Sequence, residues 1–256
     1  MRTRKSIICA FVICLTLFSN GMTEEFINIS NLNITDVTDV QFSVVWAVNL
    51  PGECDIKIYS DKNASLDITN QFSTVSESAL HPPAESLGVM KVTVKGAKPD
   101  TTYYFKTITK AKTDSSKFKI SDEVYEVNTE KFTSVVNNNT IVQSIRINNE
   151  DKKAFGSLLI TVVPEASYPL TAWVGDGYPG SFAGVDLSNL YKATSRKSYD
   201  IDSGTEITLW AFGAISGYSK THVIIDENYQ TQLVNTMAVL NPMTVFEPYS
   251  MDKLEN

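Results

Sequence analysis

Lys98-Pro-Asp-Thr-Thr-Tyr-Tyr-Phe-Lys-Thr107 puts Tyr103 four residues after Pro99, just where an alternating strand begins. Pro99 and Asp100 are turn formers, because the proline ring presets φ and the aspartate bonds to its own backbone. In an antiparallel sandwich, a chain crossing between sheets is locked by a tyrosine whose hydroxyl reaches back to the backbone at that corner. Tyr103 is expected to be that lock. Alternation recurs on both sides of it. Gln41 to Ala47 puts Phe42, Val44 and Trp46 on one face, Cys54 to Tyr59 does so with Cys54, Ile56 and Ile58, and Met90 to Lys95 sets Met90, Val92 and Val94 against Lys91, Thr93 and Lys95. These read as half-buried antiparallel strands. Pro51-Gly52, His81-Pro82-Pro83 and Lys98-Pro99-Asp100 separate them, and nothing between Thr23 and Asp226 keeps a helical period for ten residues.

The spacing Pro99-x-Thr101-x-Tyr103, with Trp46 ending an alternating strand about fifty residues earlier, resembles the fibronectin type III domain over residues 26–134. Pro99, Tyr103 and Trp46 are then structural residues of the corner and core. Ala97 departs from the family's usual leucine before the corner, and Thr107 and Thr109 stand where it prefers apolar residues. An asparagine-rich linker, Ser134 to Thr140, precedes a second unit over 140–240, with strands expected at Val142–Ile147, Ser157–Val163, Leu170–Val174, Phe182–Leu187, Glu206–Phe212 and His222–Asp226. Its Asp176-Gly177 turn and Asp186-Leu-Ser-Asn-Leu190 run resemble the transthyretin-like or carboxypeptidase-regulatory-like modules of bacterial secreted proteins. The fold class is therefore all-β, two tandem antiparallel β-sandwiches, the second a transthyretin-like Greek key. Residues 241–256, broken by Pro242 and Pro248, are expected to be a mobile tail.

Arg2, Arg4 and Lys5 followed by an uncharged apolar run, Ile7 to Phe18, and by Ser19-Asn20-Gly21 have the form of a secretory signal over residues 1–21. The run is short for a membrane span, and no small residue stands before Cys9 or Cys14 as a lipid-anchor signal would place it. The expectation is a secreted protein, extracellular or periplasmic, with no membrane span. Removing the signal leaves 19 Lys and Arg against 29 Asp and Glu, so the net charge moves from −7 to −10, and no cationic cluster offers a nucleic-acid surface. Cys54 becomes the sole cysteine, which excludes an intramolecular disulfide; a buried inert thiol and intermolecular pairing both remain open.

Residues that could carry chemistry are sparse. His81 and His222 have no Glu-x-x-His or Cys-x-x-Cys pattern beside them, and no Gly-x-Ser-x-Gly elbow, phosphate loop or dinucleotide fingerprint occurs. Asp55 with Asp61, and Asp200 with Asp202, fall in turns, and neither they nor Asp176 reproduce a calcium loop. No enzyme, no cofactor and no metal is expected. Asn28, Asn33, Asn63 and Asn138 match the glycosylation acceptor pattern, read as chance in a bacterial protein. If Leu170, Ala172 and Val174, and likewise Ile207, Leu209 and Ala211, face the core, then Trp173, Trp210 and Phe212 face away from it. Either they form a contact surface for a glycan or a partner protein, or a loop or the neighbouring domain covers them. The sequence thus points to a non-catalytic module of the cell surface, monomeric and meeting an unknown protein or glycan, or to an accessory carbohydrate-binding or assembly subunit of a larger complex.

Overall fold

A computed structural model describes residues 26–134, 140–147, 154–176, 180–227 and 231–247. The secretory signal lies outside the described residues, as do most of the linker and the last nine residues. The first unit has eight strands, β1 (Ile29–Thr35), β2 (Gln41–Val48), β3 (Gly52–Tyr59), β4 (Ser73–Ser76), β5 (Val89–Lys95), β6 (Thr102–Ala111), β7 (Phe118–Ile120) and β8 (Tyr125–Asn128). They form a sheet ordered β1-β2-β5-β4 over a second in which β6 pairs with β3, β7 and β8. This is the four-on-three strand arrangement of an immunoglobulin-like sandwich, with β7 and β8 sharing the last position. Phe42, Val44 and Trp46 meet Ile56, Ile58 and Phe105 in its core.

The corner is built as its chemistry dictates. The Lys98 N–H donates to the Tyr103 hydroxyl at 3.0 Å, while the ring stays in the core against Phe42 and Phe72. A buried indole needs an acceptor for its N–H. Trp46 Nε1 finds one in Thr109 Oγ1 at 3.0 Å, which gives a reason for a hydroxyl where the resemblance leads one to expect an apolar side chain.

Among its described residues the second unit has seven strands: β9 (Thr140–Ile147), β10 (Leu158–Val162), β11 (Leu170–Trp173), β12 (Phe182–Asp186), β13 (Glu206–Phe212), β14 (Tyr218–Ile224) and β15 (Thr231–Leu240). One sheet runs β11-β10-β13-β14, the other β12-β9-β15. All pairs are antiparallel except β15 with β9, so the expectation of a purely antiparallel pair of sandwiches is corrected at that one ladder. Strand β14 starts four residues before His222, because a 3₁₀ turn over Ala214–Ser216 ending at Gly217 (φ +90°) reverses the chain after β13. Leu159, Leu170, Ile207, Leu209 and Ala211 fill the core between these sheets, on the faces that the alternation assigns to it.

Half-burial holds along β3, where Asp55 is exposed between buried Cys54 and Ile56, but fails for β2 and β5. Strand β2 is buried on both faces, and on β5 Lys91 and Thr93 are as inaccessible as the valines beside them. A third core explains it. Val45 and Ala47 of β2 and Val89 of β5 pack with Leu158 and Ile160 of β10, Trp173 of β11, and Trp210 and Phe212 of β13. The facing sheets of the two sandwiches thus share one apolar layer. The His81-Pro82-Pro83 break also differs from expectation: it joins two one-turn helices, α1 (Glu77–Leu80) and α2 (Pro82–Leu87), the second beginning on prolines as a first helical turn allows.

The mobile-tail expectation is corrected as well, over its described part. Asn241 pairs with Tyr218, and Phe246 inserts its ring 4.8 Å from Trp210 and 5.2 Å from Phe212. Glu247 adds an ion pair with Lys220 at 2.9 Å. A phenylalanine six residues past the last strand reaches a large apolar layer, and its burial outweighs the break that Pro242 makes after the ladder.

Candidate functional site

Trp173, Trp210 and Phe212 are 4%, 3% and 0% exposed, which withdraws them as a contact surface. They do face away from their own core, as the alternation requires, but the first sandwich seals them. Of the two readings left open by the sequence, cover is the one observed, by the neighbouring domain and, over Trp210 and Phe212, also by Phe246. The place where the two units do leave space is beside this layer, in a polar cleft of about 340 Å³ lined by Asp36, Ser43, Glu77, Lys91, Thr93, Thr171, Trp173, Asp176 and Asp186 among others.

Three ionisable side chains meet at its inner wall. Lys91, carried inward by the pleat of β5, sets its ammonium 3.2 Å from Asp36 Oδ2 and 3.0 Å from Glu77 Oε2. Asp36 ends β1 in a left-handed conformation (φ +52°) that aspartate tolerates better than most residues. That turn aims its backbone N–H at Pro169 O (2.9 Å) of the second sandwich. Its carboxylate accepts from the Thr171 N–H (2.7 Å), the Thr171 hydroxyl (2.5 Å) and the Thr35 hydroxyl (2.9 Å). Glu77 opens α1 and accepts from the Thr93 hydroxyl at 2.5 Å and from Trp173 Nε1 at 3.2 Å. Buried charge is costly unless paired and hydrogen-bonded, and here every carboxylate oxygen has a donor.

The electrostatics follow. For Lys91, burial works to lower the pKa, but Asp36 and Glu77 outweigh it and hold the amine above the ordinary lysine value. For Glu77, burial pushes upward, and Lys91 with the donors from Thr93 and Trp173 overcomes it, leaving the carboxyl below its usual range. His81 stacks on Trp173 with ring centroids 4.4 Å apart, and burial depresses its pKa despite the pull of Asp176 and Glu77. A neutral imidazole is the result near pH 7. The arrangement can clasp two sheets together and present an amine to two carboxylates.

A second clasp also joins the two units. Arg196, also left-handed (φ +55°), donates from Nε to Glu130 (3.2 Å), from Nη1 to Asp100 (2.9 Å) and from Nη2 to Thr129 O. Asn31 Nδ2 donates to the Tyr218 hydroxyl (2.7 Å), and the Asn128 N–H to the Tyr168 hydroxyl (3.2 Å).

Sequence reasoning missed Asp36, Glu77, Lys91 and Arg196. Lys91 occupies a polar slot of a perfectly alternating strand, which is the ordinary signature of a solvated lysine, and nothing local tells that a second sheet will cover it. His81 and His222 are not brought together; His222 sits with Glu206 (3.3 Å) on the exposed side of β14. Asp55 and Asp61 stay in separate places on the first sandwich, and Asp61 caps its own turn through Ser65 and Leu66. Cys54 is buried, its thiol beside Ser76 Oγ at 3.0 Å, and burial pushes its pKa up. Asn33 is buried with its amide donating to Asn31 O (3.1 Å), so that acceptor pattern offers no accessible nitrogen in the folded chain. Among the described residues no three His, Cys, Asp or Glu side chains form a group able to hold a metal ion, and no helix is long and apolar enough to cross a membrane.

No family model matches the chain, and no curated protein matches it. Among solved structures it is similar to a structure of PhoD, at 12% identity and a TM-score of 0.27, over 48% of this chain and 23% of that one. It is also similar to the chicken CNTN1 FN1-FN3 domains (11%, TM-score 0.25, 83% of this chain and 65% of that one) and to titin domains z1z2 in complex with telethonin (8%, 0.26, 90% and 100%). The chain thus spans about a quarter of the PhoD chain and about two thirds of the chicken one. At these TM-scores no function transfers, and the fold rests on the strand pairing itself: two layered β-sandwiches sharing a sealed seam.

Proposed function

We propose that this chain is an exported, non-catalytic structural module of a bacterial cell surface, in which a fibronectin type III-like and a transthyretin-like sandwich act as one rigid body that positions protein partners. The observation that carries the reading is the third core. An aromatic layer common to both sandwiches, flanked by the Asp36–Lys91–Glu77 and Arg196 clasps, supports a fixed angle between them, where a flexible tether would leave two independent beads. Trp173, Trp210 and Phe212 hold the units together and are thereby taken from any ligand face, which favours the structural role over glycan capture by these residues. At the inner wall of the cleft Asp36, Lys91 and Glu77 pair with one another across the seam, which supports a clasping role for them.

The test uses the intact exported chain. Affinity capture from the native envelope fraction is expected to return a defined assembly, while a glycan array returns nothing saturable. Saturable glycan binding without an assembly partner would replace this reading by the accessory carbohydrate-binding one. Turnover of any glycan or peptide substrate that a single acidic substitution abolishes would replace it by an enzyme.

A further inference from the structure

We propose that Lys91 and Asp36 condense inside the folded protein to form an amide cross-link, with Glu77 as the proton carrier. The proposal stands on the geometry of three side chains that the sheet stacking brings together, and it is independent of the functional reading above. Lys91 Nζ lies 3.2 Å from Asp36 Oδ2 and 3.0 Å from Glu77 Oε2, ion-pair contacts that hold the amine beside the carboxyl group it would attack. The three side chains are 7%, 16% and 23% exposed, at the inner wall of the cleft.

Each role has its atom. The electrophile is Asp36 Cγ. Its Oδ1 accepts the Thr171 N–H at 2.7 Å, a fixed donor that polarises the carbonyl and stabilises the oxyanion of the tetrahedral intermediate. Its Oδ2, the oxygen that departs, accepts the hydroxyls of Thr171 and Thr35, donors suited to a leaving oxygen. Glu77 is held in place by Thr93 on Oε1 and by the Trp173 indole on Oε2, the same oxygen that faces the amine. Thr93 is in turn fixed by Ser43 at 2.8 Å.

The step balances within the triad. Lys91 starts as an ammonium and Asp36 as a carboxylate. Glu77 takes one proton from Nζ, which frees the nitrogen lone pair; the Nζ–Cγ bond forms and the Cγ–Oδ2 bond breaks. Oδ2 leaves as water with two of the ammonium protons, one passed directly from Nζ and the other returned by Glu77. Glu77 ends as the carboxylate it was, the amide N–H donates to it, and the net charge of the three side chains is −1 before and after. No oxidant, reductant or activating group takes part. The adjoining cleft of about 340 Å³ receives the released water.

Condensation of free amine and acid is uphill in water, but the fold supplies two terms that reverse it. Holding the partners in contact is equivalent to an effective concentration of about 10⁵–10⁸ M. Turning an ammonium and a carboxylate into a neutral amide also removes two charges from a desolvated seam. Stabilisation of the ammonium by its two carboxylates slows the step, since a proton must first move to Glu77, and that proton stays inside the triad. The product ties the turn after β1 covalently to β5, in the sheet that bears the seam.

Intact mass spectrometry of the denatured exported chain, with its N-terminus defined by sequencing, tests the proposal. The chain is expected to be lighter than its sequence by one water, and a tryptic digest to contain one branched peptide joining the Lys91 and Asp36 segments. Lys91→Arg should restore the full mass. Asp36→Asn should lose ammonia in place of water. Glu77→Gln, folded by circular dichroism, should cross-link at least about 100-fold more slowly, the usual effect of losing a general acid–base. A folded wild-type chain that keeps its full sequence mass after prolonged incubation at neutral pH would overturn the proposal and leave an ion triad. A branch at Glu77, or undiminished cross-linking in Glu77→Gln, would overturn the assignment of roles.

Discussion

Replacing Trp210 by alanine separates a sealed seam from an exposed aromatic face. The indole is 3% exposed, meets Phe246 edge-on at 4.8 Å and has the Lys220 ammonium 5.1 Å from its ring. A tryptophan buries about 150–250 Å². At about 25 cal/mol per Å², that is about 4–6 kcal/mol as an upper bound, because the unfolded chain already hides part of the area. Measured Trp and Phe to Ala changes in cores cost about 3–5 kcal/mol, so a loss of about 4 kcal/mol is expected. A total stability of about 5–15 kcal/mol makes that a large fraction. Urea denaturation followed by tryptophan fluorescence and circular dichroism reads it out as a midpoint lowered by roughly 2 M, for a slope of about 2 kcal/mol/M. The two probes should also separate in the variant, since the sandwiches lose the layer that couples them. A double-mutant cycle with Phe246→Ala should return a coupling of about 0.5–1.5 kcal/mol for the aromatic pair. A loss below about 1 kcal/mol would refute the shared core and return Trp210 to the surface.

Gly156→Ala probes the same seam from the backbone. Gly156 has φ +83°, and a β-carbon there would stand 2.4 Å from Ala84 N and 2.6 Å from Pro83 C, so the sandwiches must part; a loss above about 1 kcal/mol is expected by the same titration, and a neutral result would mean that the seam yields. His81 links stability to pH. Its pKa is depressed below 6.5 by burial, so the unfolded chain takes up a proton that the folded chain refuses, and stability present above about pH 6.5 falls as pH drops through the folded value. His81→Phe, which keeps a ring on Trp173, should flatten the stability profile between about pH 7 and 5, and an unchanged slope would exclude His81 as its source. Cys54, 7% exposed with its thiol pKa raised by burial, should react with a thiol reagent only as fast as the chain opens globally; fast labelling of the native protein would refute its burial.

Much of the architecture was legible locally. A period of two, read along Gln41–Ala47, Met90–Lys95 and Glu206–Phe212, names both the strands and the residues that face each sandwich's own core, because side chains of a strand alternate strictly. The Pro99–Tyr103 spacing likewise anticipates a corner bond that depends on atoms five residues apart. The candidate site was not legible. Lys91 and Asp36 are polar residues in polar positions, and their burial depends on Pro169, Thr171 and Trp173, far along the chain.

Alternation by itself determined that Trp173, Trp210 and Phe212 point away from the second core and that Phe42, Val44 and Trp46 point into the first, since that follows from the pleat alone. Only the tertiary structure decided what lies on the far side of each sheet. Whether an outward face meets water or another sheet is a property of surfaces brought together by stacking, and the area removed from water when they join is encoded in neither strand separately.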